Sequence, residues 1–564
     1  MDTPTLRSGG RLLVDQLLVH GVTHACCVPG ESYLDVLDAL HDADIALTVC
    51  RQEGGAAMMA EAHGKLTGEP GICFVTRGPG ATNASPGVHV AAQDSTPMIL
   101  FVGQVRRDTR EREGFQELDY RAVFGSMTKW ATEIDDPARI PELVSRAFHV
   151  ATNGRPGPVV VALPEDVLTG RTAVADAPPY RVAEPAPSEA DLAALAGMLA
   201  AAERPLLVAG GSRWTRDAVD DLAALSSALS LPVATSFRRQ ALFPASHPCF
   251  AGELGVACEP GLVTFAREAD LLLLVGGRLS EMPSQGWTLL GIPDPGRRLV
   301  HVHPGSEELG RVYRADLAIN TSPTPFVKAL GQLATSPGLS APAASWRERT
   351  AARHAERRLW SEVPPDNPDA FDLAFAVREL ARHLPPDTIV ANGAGNYATW
   401  VHRFYPFERF GTQLAPTSGS MGYGVPAAVA AARLDPTRSV VAFAGDGCFL
   451  MNGQEFATAV QYALPIVVIV VDNGMYGTIR MHQERSYPGR VSGTSLVNPD
   501  FAALATAFGG HGERVERSDE FLPALERARA SGKPAILHCL VSPDRISVGG
   551  SLATTRAAAR AAAL

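Results

Sequence analysis

The sequence predicts an α/β protein of three domains, each a mainly parallel sheet with helices on both faces. Three observations predict it. Short β-branched runs alternate with helix-like segments along the chain. Those runs are apolar at nearly every residue, which means burial on both faces and hence parallel strands under helices. Two Pro-rich stretches then divide the chain into pieces of domain size.

The strand-like runs are 72–76, 98–102, 158–163, 206–209, 271–275, 439–444 and 466–471. Residues 177–188 (APPYRVAEPAPS) read as one linker. Residues 335–365 read as another, beginning TSPGLSAPAAS and continuing through a charged, helix-like stretch. The domains are therefore expected at 1–178, 188–335 and 365–545, with a tail over 546–564. The outer two share a pattern. ICFVT leads through RGPG and a helix-like stretch to Pro97 and MILFVG; SVVAFA leads through GDG and a helix-like 449–462 to Pro465 and IVVIVV. Gly80 to Pro97 is 17 positions and Gly447 to Pro465 is 18, so two related domains should flank an unlike middle one.

Composition narrows the function classes. With 564 residues, 46% apolar and 20% charged, the chain reads as globular, not disordered. No apolar run nears the roughly 20 residues of a membrane span, and the start carries no basic-then-apolar block of a signal peptide. A cytoplasmic protein without a membrane partner is expected. The net charge of −10 with no Lys/Arg stripe argues against nucleic acid. Eight scattered cysteines without a CxxC pair read as reduced thiols.

The strongest motif lies in the third part. Gly445-Asp446-Gly447 ends one apolar run; a helix-like segment follows; the next run ends at Asp472-Asn473-Gly474. A right-handed βαβ unit sets Asp446 and Asn473 at the same carboxyl edge of neighbouring strands, where open α/β sheets bind ligands. Both are hard oxygen donors suited to Mg²⁺ or Ca²⁺, and they leave coordination sites free for phosphate oxygens. The helix after Gly447 adds N–H groups for an anion, and Gly445 and Gly447 let backbone approach it. A lone GDG is ordinarily a turn. The 25 residues between Gly447 and Asn473, with strand–helix–strand character, give the motif its weight.

Together with GPGATN (78–83), AQDSTPMI (92–99), Phe115-Gln116-Glu117 and GSMGYGVPAA (419–428), this block resembles the acetohydroxyacid (acetolactate) synthase group of thiamin-diphosphate enzymes, over nearly the whole chain. The resemblance implies thiamin diphosphate and Mg²⁺, the metal held by Asp446, Asn473 and the main-chain carbonyl of Met475. It assigns Gly395, Asn396, Tyr397, Gly419, Gly445, Gly447 and Cys448 to the cofactor, Cys448 standing where many relatives have Ser. Met421 falls where the family wedges an apolar side chain under the bent cofactor, and Asn83 lies in a cofactor-binding stretch. Arg51-Gln52-Glu53-Gly54-Gly55 opens a helix after the strand-like ALTVC. A Glu in a first helical turn is commonplace. The resemblance makes Glu53 the poorly solvated carboxylate that shares a proton with the aminopyrimidine ring, so that the cofactor's own carbon becomes the nucleophile. Glyoxylate carboligases lack this glutamate, which argues against that branch.

For substrates, the resemblance gives Phe115 and Gln116 at the reacting centre and Lys129 at the pocket entrance, where a cation meets a 2-oxo acid carboxylate. Arg480 faces the same pocket, and His482 stands where synthases carry the Trp that shapes the choice of second substrate. Glu53, Gln116 and His482 form the catalytic set. Glu31 replaces a small residue and is read as an extra acid–base group. Gly276, Gly277 and Arg278 match a loop that holds FAD or an ADP-like group in some relatives and persists in members without nucleotide, so FAD is allowed but not favoured.

The implied reaction is decarboxylation of a 2-oxo acid with carboligation to an aldehyde or ketone. The alternatives are a non-ligating decarboxylase and a hydroxyketone or C–C lyase of the same family. No adjacent His-His pair is present, which lowers the simple decarboxylase. GAGNYA (393–398) fits G-x-G-x-x-A, yet 413–418 (QLAPTS) has no acidic residue, against a dinucleotide dehydrogenase. Joint retention of Glu53, Asp446 and Asn473 speaks against a non-catalytic scaffold, and an oxidase would need bound flavin. Glu53 and Asp446 lie in different domains, which in the family meet across subunits; a homodimer or homotetramer is expected, with the tail covering the site.

Overall fold

The computed structural model describes residues 5–334, 341–362 and 369–562. Of the second expected linker, 335–340 and 363–365 lie outside the described residues. The charged stretch between them forms the helix Ala344–Glu362, and 177–188 is irregular, as a linker would be.

Three six-stranded sheets form, parallel throughout. All seven strand-like runs of the sequence lie in them. The first sheet orders Ala46–Val49, His24–Cys27, Gly71–Val75, Met98–Gln104, Pro158–Pro164 and Trp130–Glu133. By position in the chain this is 2-1-3-4-6-5. The third sheet orders Gln413–Leu414, Ile389–Asn392, Val440–Gly445, Val467–Asp472, Ala535–Leu540 and His511–Val515, the same 2-1-3-4-6-5. The middle sheet runs Phe250–Leu254, Val233–Ser236, Pro205–Ala209, Leu271–Val275, Arg298–Val302 and Leu317–Ile319, a 3-2-1-4-5-6 order. Two like sheets thus flank an unlike one.

Burial on both faces explains the continuous apolar runs. In the middle sheet Leu207, Leu271, Leu273 and Val275 pack into one core and Leu206, Val208, Leu272 and Leu274 into another. Successive side chains point to opposite faces, so a strand covered on both sides must be apolar at every position.

Contacts group the described residues into two units. One runs to Ala183 and takes in Pro416–Thr437 and Leu450–Leu464. The other holds Glu184–Ala415, Arg438–Phe449 and the chain from Pro465 onward. The single helix expected over 449–462 is two, Asp446–Asn452 and Glu455–Gln461. Gly453 lies at the break, where a residue without Cβ weakens helical continuity.

Candidate active site

In the larger unit, the third sheet reverses strand order between Ile389–Asn392 and Val440–Gly445, a switch point where open α/β sheets leave a crevice. The loop after the first strand carries Gly395, Asn396 and Tyr397; the second strand runs into Asp446. Val440–Gly445 pairs on its other side with Val467–Asp472, bringing Asn473 to the same edge.

The donors converge. The N–H of Met475 donates to Asp446 Oδ2 and to Asn473 Oδ1, at 3.2 Å each. Gly447 N–H donates to Asp446 Oδ1 at 2.9 Å. Tyr397 packs against Gly445 and its hydroxyl donates to Cys448 Sγ at 3.4 Å. A Cβ on Gly447 would come within 2.5 Å of the Tyr476 ring, so only glycine lets the chain pass there. Asn396 is fixed by Thr478, whose hydroxyl accepts from its N–H and donates to its Oδ1, both at 3.0 Å.

Three residues that sequence reasoning missed stand behind Asp446. Asn498 Nδ2 donates to both Asp446 Oδ2 and Asp472 Oδ1, at 2.8 Å. Asp472 Oδ2 bonds His538 Nε2 at 2.9 Å. Burial pushes the Asp446 carboxyl up to about 6, whereas Asp472 is held below the ordinary carboxylate range by His538 and the backbone against its own burial. The only sequence signal at Asn498 is a turn-like NPD, which predicts a loop and no partner. Asn498 Oδ1 is buried without a protein partner. A hard-oxygen pair converging on one peptide, a glycine-lined backbone beside it and an orphaned amide oxygen fit Mg²⁺ with a diphosphate.

The other unit holds Glu53, the first residue of the helix Glu53–Thr67. Gln52 caps that helix by accepting from Gly55 N–H at 3.0 Å, and Glu53 Oε2 accepts from Asn83 Nδ2 at 3.0 Å. Gly80 lies against Glu53 Oε1, and Gly78 N–H donates to the carbonyl of Gln116 at 2.9 Å. The Gly78–Gly80 turn therefore gathers Glu53, Asn83 and Gln116 at the carboxyl edge of the first sheet. Gly419 has φ +69°, a turn before half-buried Met421, and Ser418 Oγ next to it is buried without a partner.

Glu31 reaches the same edge, where its carboxylate accepts from the buried Arg77 at 2.9 Å; Arg77 also pairs with Glu165. Its own backbone N–H and Arg77 hold Glu31 below the ordinary carboxylate range. It is thus an ion at neutral pH, better suited to charge recognition than to donating a proton. Phe115 is exposed. Lys129 is not brought to this edge. It precedes the strand Trp130–Glu133, whose Trp130 is level through two intervening strands with Ile72, about 10 Å before the carboxyl end at Val75. Its Nζ donates to the Asn153 carbonyl at 2.6 Å.

Arg480 and His482 share the helix Gly477–Ser486 of the larger unit. Arg480 donates twice to buried Glu484, at 2.8 and 3.1 Å, which occupies its guanidinium. His482 is exposed and its Nδ1 lies 2.5 Å from Arg485 Nη2.

Family models match along most of this architecture. The N-terminal thiamine pyrophosphate (TPP) binding domain of thiamine pyrophosphate enzymes covers 7–123, their central domain 192–330, and their C-terminal TPP binding domain 393–539. The acetolactate synthase isozyme 2 large subunit of Escherichia coli is 30% identical over 96% of either chain. A probable acetolactate synthase large subunit of Methanocaldococcus jannaschii is 31% identical over 95% of this chain and 92% of its own. The acetolactate synthase large subunit of Parasynechococcus marenigrum is 32% identical over 95% and 88%.

Proposed function

The chain belongs to the acetolactate synthase-like family of thiamin-diphosphate enzymes, and we propose that it decarboxylates a 2-oxo acid and joins the remaining acyl unit to a second carbonyl compound. The observation that carries this is the convergence of Asp446 and Asn473 on the Met475 N–H at the switch point of the third sheet. Asp446, Asn473 and the Met475 carbonyl would hold Mg²⁺. Gly395, Asn396, Tyr397, Gly445, Gly447 and Cys448 would take the diphosphate, while Gly419 and Met421 would support the rest of the cofactor. Thiamin diphosphate supplies the nucleophilic carbon and the electron sink that decarboxylation needs.

The protein's own part is proton handling and exclusion. Glu53, steadied by Asn83, shares a proton with the cofactor's pyrimidine ring. Gln116, whose main-chain carbonyl is tied to Gly78, would hydrogen-bond the reacting carbonyl. Phe115, exposed beside Gln116 in the chain, would line the same reacting centre. The Glu31–Arg77–Glu165 cluster carries one more negative than positive charge, which disfavours a second anionic group beside it. His482, where the family carries Trp, supports an altered choice of second substrate.

We read the assembly as a homodimer or tetramer in which the first domain of one subunit completes another's cofactor site. None of the eight cysteines is joined in a disulfide, which suits the cytoplasm. No described helix is long and apolar enough to cross a membrane. Incubating the holoenzyme with a panel of 2-oxo acids, with and without aldehyde acceptors, tests the proposal. Carbon dioxide and a hydroxyketone should appear together. Carbon dioxide with only the free aldehyde, at every acceptor, would make it a simple decarboxylase.

A further inference from the structure

Within the smaller unit, a fully buried carboxylate outside the roles assigned so far sits directly before the proposed proton-sharing glutamate. Glu455 has no exposed surface. Its Oε1 accepts from the N–H of Arg51 at 3.0 Å and of Gln52 at 2.9 Å; its Oε2 accepts from Arg51 N–H at 3.2 Å and from the Thr458 hydroxyl at 2.6 Å. A Cβ on Gly55 would come within 2.6 Å of Glu455 Oε1, so the first turn of the helix closes on this carboxylate only with glycine there.

The contact continues along the same element. Gln461 Oε1 accepts from Arg51 Nη2 at 2.5 Å. The Tyr462 hydroxyl accepts from Val49 N–H at 2.8 Å and donates to the Leu47 carbonyl at 3.3 Å. The helix Glu455–Gln461 and the residue after it therefore grip the strand-to-helix turn 47–52 from end to end. Within the first turn of the helix, Gly55 N–H is taken by Gln52.

We infer that Glu455 is a positioning residue for Glu53: by holding the two peptide N–H groups that precede Glu53, it fixes where the helix starts and hence where the Glu53 carboxylate points. Asn83 fixes the side chain from the other end. A cap to the helix dipole alone would be satisfied by any acceptor within the first turn. Here one carboxylate spans two consecutive amides at a cost in desolvation, and burial pushes its carboxyl above the ordinary range. Orientation of a proton-sharing group is worth far more to rate than to stability: a displacement of about 1 Å costs on the order of a hundredfold.

This rests on the reading of Glu53 as the residue that shares a proton with the cofactor, and the experiment separates the two. Glu455→Ala, Glu455→Gln and Glu53→Gln are prepared as full chains. Amide hydrogen exchange is first followed without cofactor. Glu455→Ala should speed exchange at residues 49–56 by roughly tenfold or more and leave the later turns of the helix unchanged. Each variant is then loaded with thiamin diphosphate and Mg²⁺, and exchange of the thiazolium C2 proton into deuterated buffer is read by NMR after acid quench. Glu455→Ala should slow it on the order of tenfold to a hundredfold while cofactor affinity changes by less than about threefold. Glu455→Gln, which keeps one acceptor oxygen, should fall between. Wild-type C2 exchange in Glu455→Ala, alongside slow exchange in Glu53→Gln, overturns the positioning role. Wild-type exchange in Glu53→Gln overturns the reading of Glu53 itself. If the alanine variant does not fold, the glutamine variant decides: wild-type exchange there overturns the proposal.

Discussion

Asp446 concentrates the chemistry of the larger unit into one side chain. It receives the N–H groups of Gly447 and Met475 and the amide of Asn498, all on one nearly inaccessible carboxylate. Replacing it with Ala removes the charged group proposed to hold Mg²⁺, and titration calorimetry should find no Mg²⁺-dependent retention of thiamin diphosphate. Asn498→Ala takes away only the clasp between Asp446 and Asp472. The expectation there is a Mg²⁺ requirement raised on the order of tenfold to a hundredfold and restored by excess Mg²⁺, because outer groups orient ligands without replacing them. Asp446 and Asn473 were legible in the sequence because the chain delivers them locally, each at the end of its own strand. Asn498 was not, since its two partners lie 52 and 26 positions away and meet it only through loop closure. Lys129 shows the reverse failure. A motif match gave it a role, but strand register sets it at the amino edge of the sheet that carries Glu53.

At the level of elements, the helix Gly477–Ser486 is held by the C-terminal helix Leu552–Ala562. Arg556 donates twice to Glu484 at 2.7 Å, and Arg480 shares the same carboxylate. Hydrogen bonds from Arg556 first, then from Gly489 N–H and Arg480, bring Glu484 down to about 2. A depressed carboxyl contributes stability that is fully present above its unfolded value, near 4.3, and is lost as pH falls through that value toward about 2. Limited proteolysis should therefore release the last helix readily near pH 3 and slowly at pH 7. In Arg556→Ala the release at pH 7 should approach that seen in acid; equal protection in both proteins would show that apolar packing alone holds the helix. The sequence predicts a covering tail over 546–564, and in the structure the helix Leu552–Ala562 within it is a clasp on the helix bearing Thr478, Arg480 and His482. An Ala/Arg-rich pattern predicts a helix well but not its partner.

For the molecule as a whole, the proposed sharing of sites between subunits has a direct test. Glu53→Gln and Asp446→Ala are each expected to be inactive alone. If each site takes its glutamate from one chain and its aspartate from another, coexpressing the two variants builds mixed dimers with one intact site. Random pairing then gives about a quarter of wild-type turnover. If both groups act within a single chain, every mixed dimer stays inactive, and light scattering on the same samples reports whether mixed dimers formed.

By itself the sequence determined the three parallel sheets, the likeness of the outer two and the Asp446–Asn473 pair. Burial on both faces leaves a continuous apolar run, and two oxygen donors at the ends of adjacent strands leave a fixed spacing; both are written along the chain. Tertiary structure alone decided which carboxylates are ions, which cations are already spent on neighbours, and that Glu455 and Asn498 serve the residues they touch. Those contacts join segments dozens to hundreds of residues apart, and hydrogen-bond partnership across such distances is set by packing rather than by any local pattern.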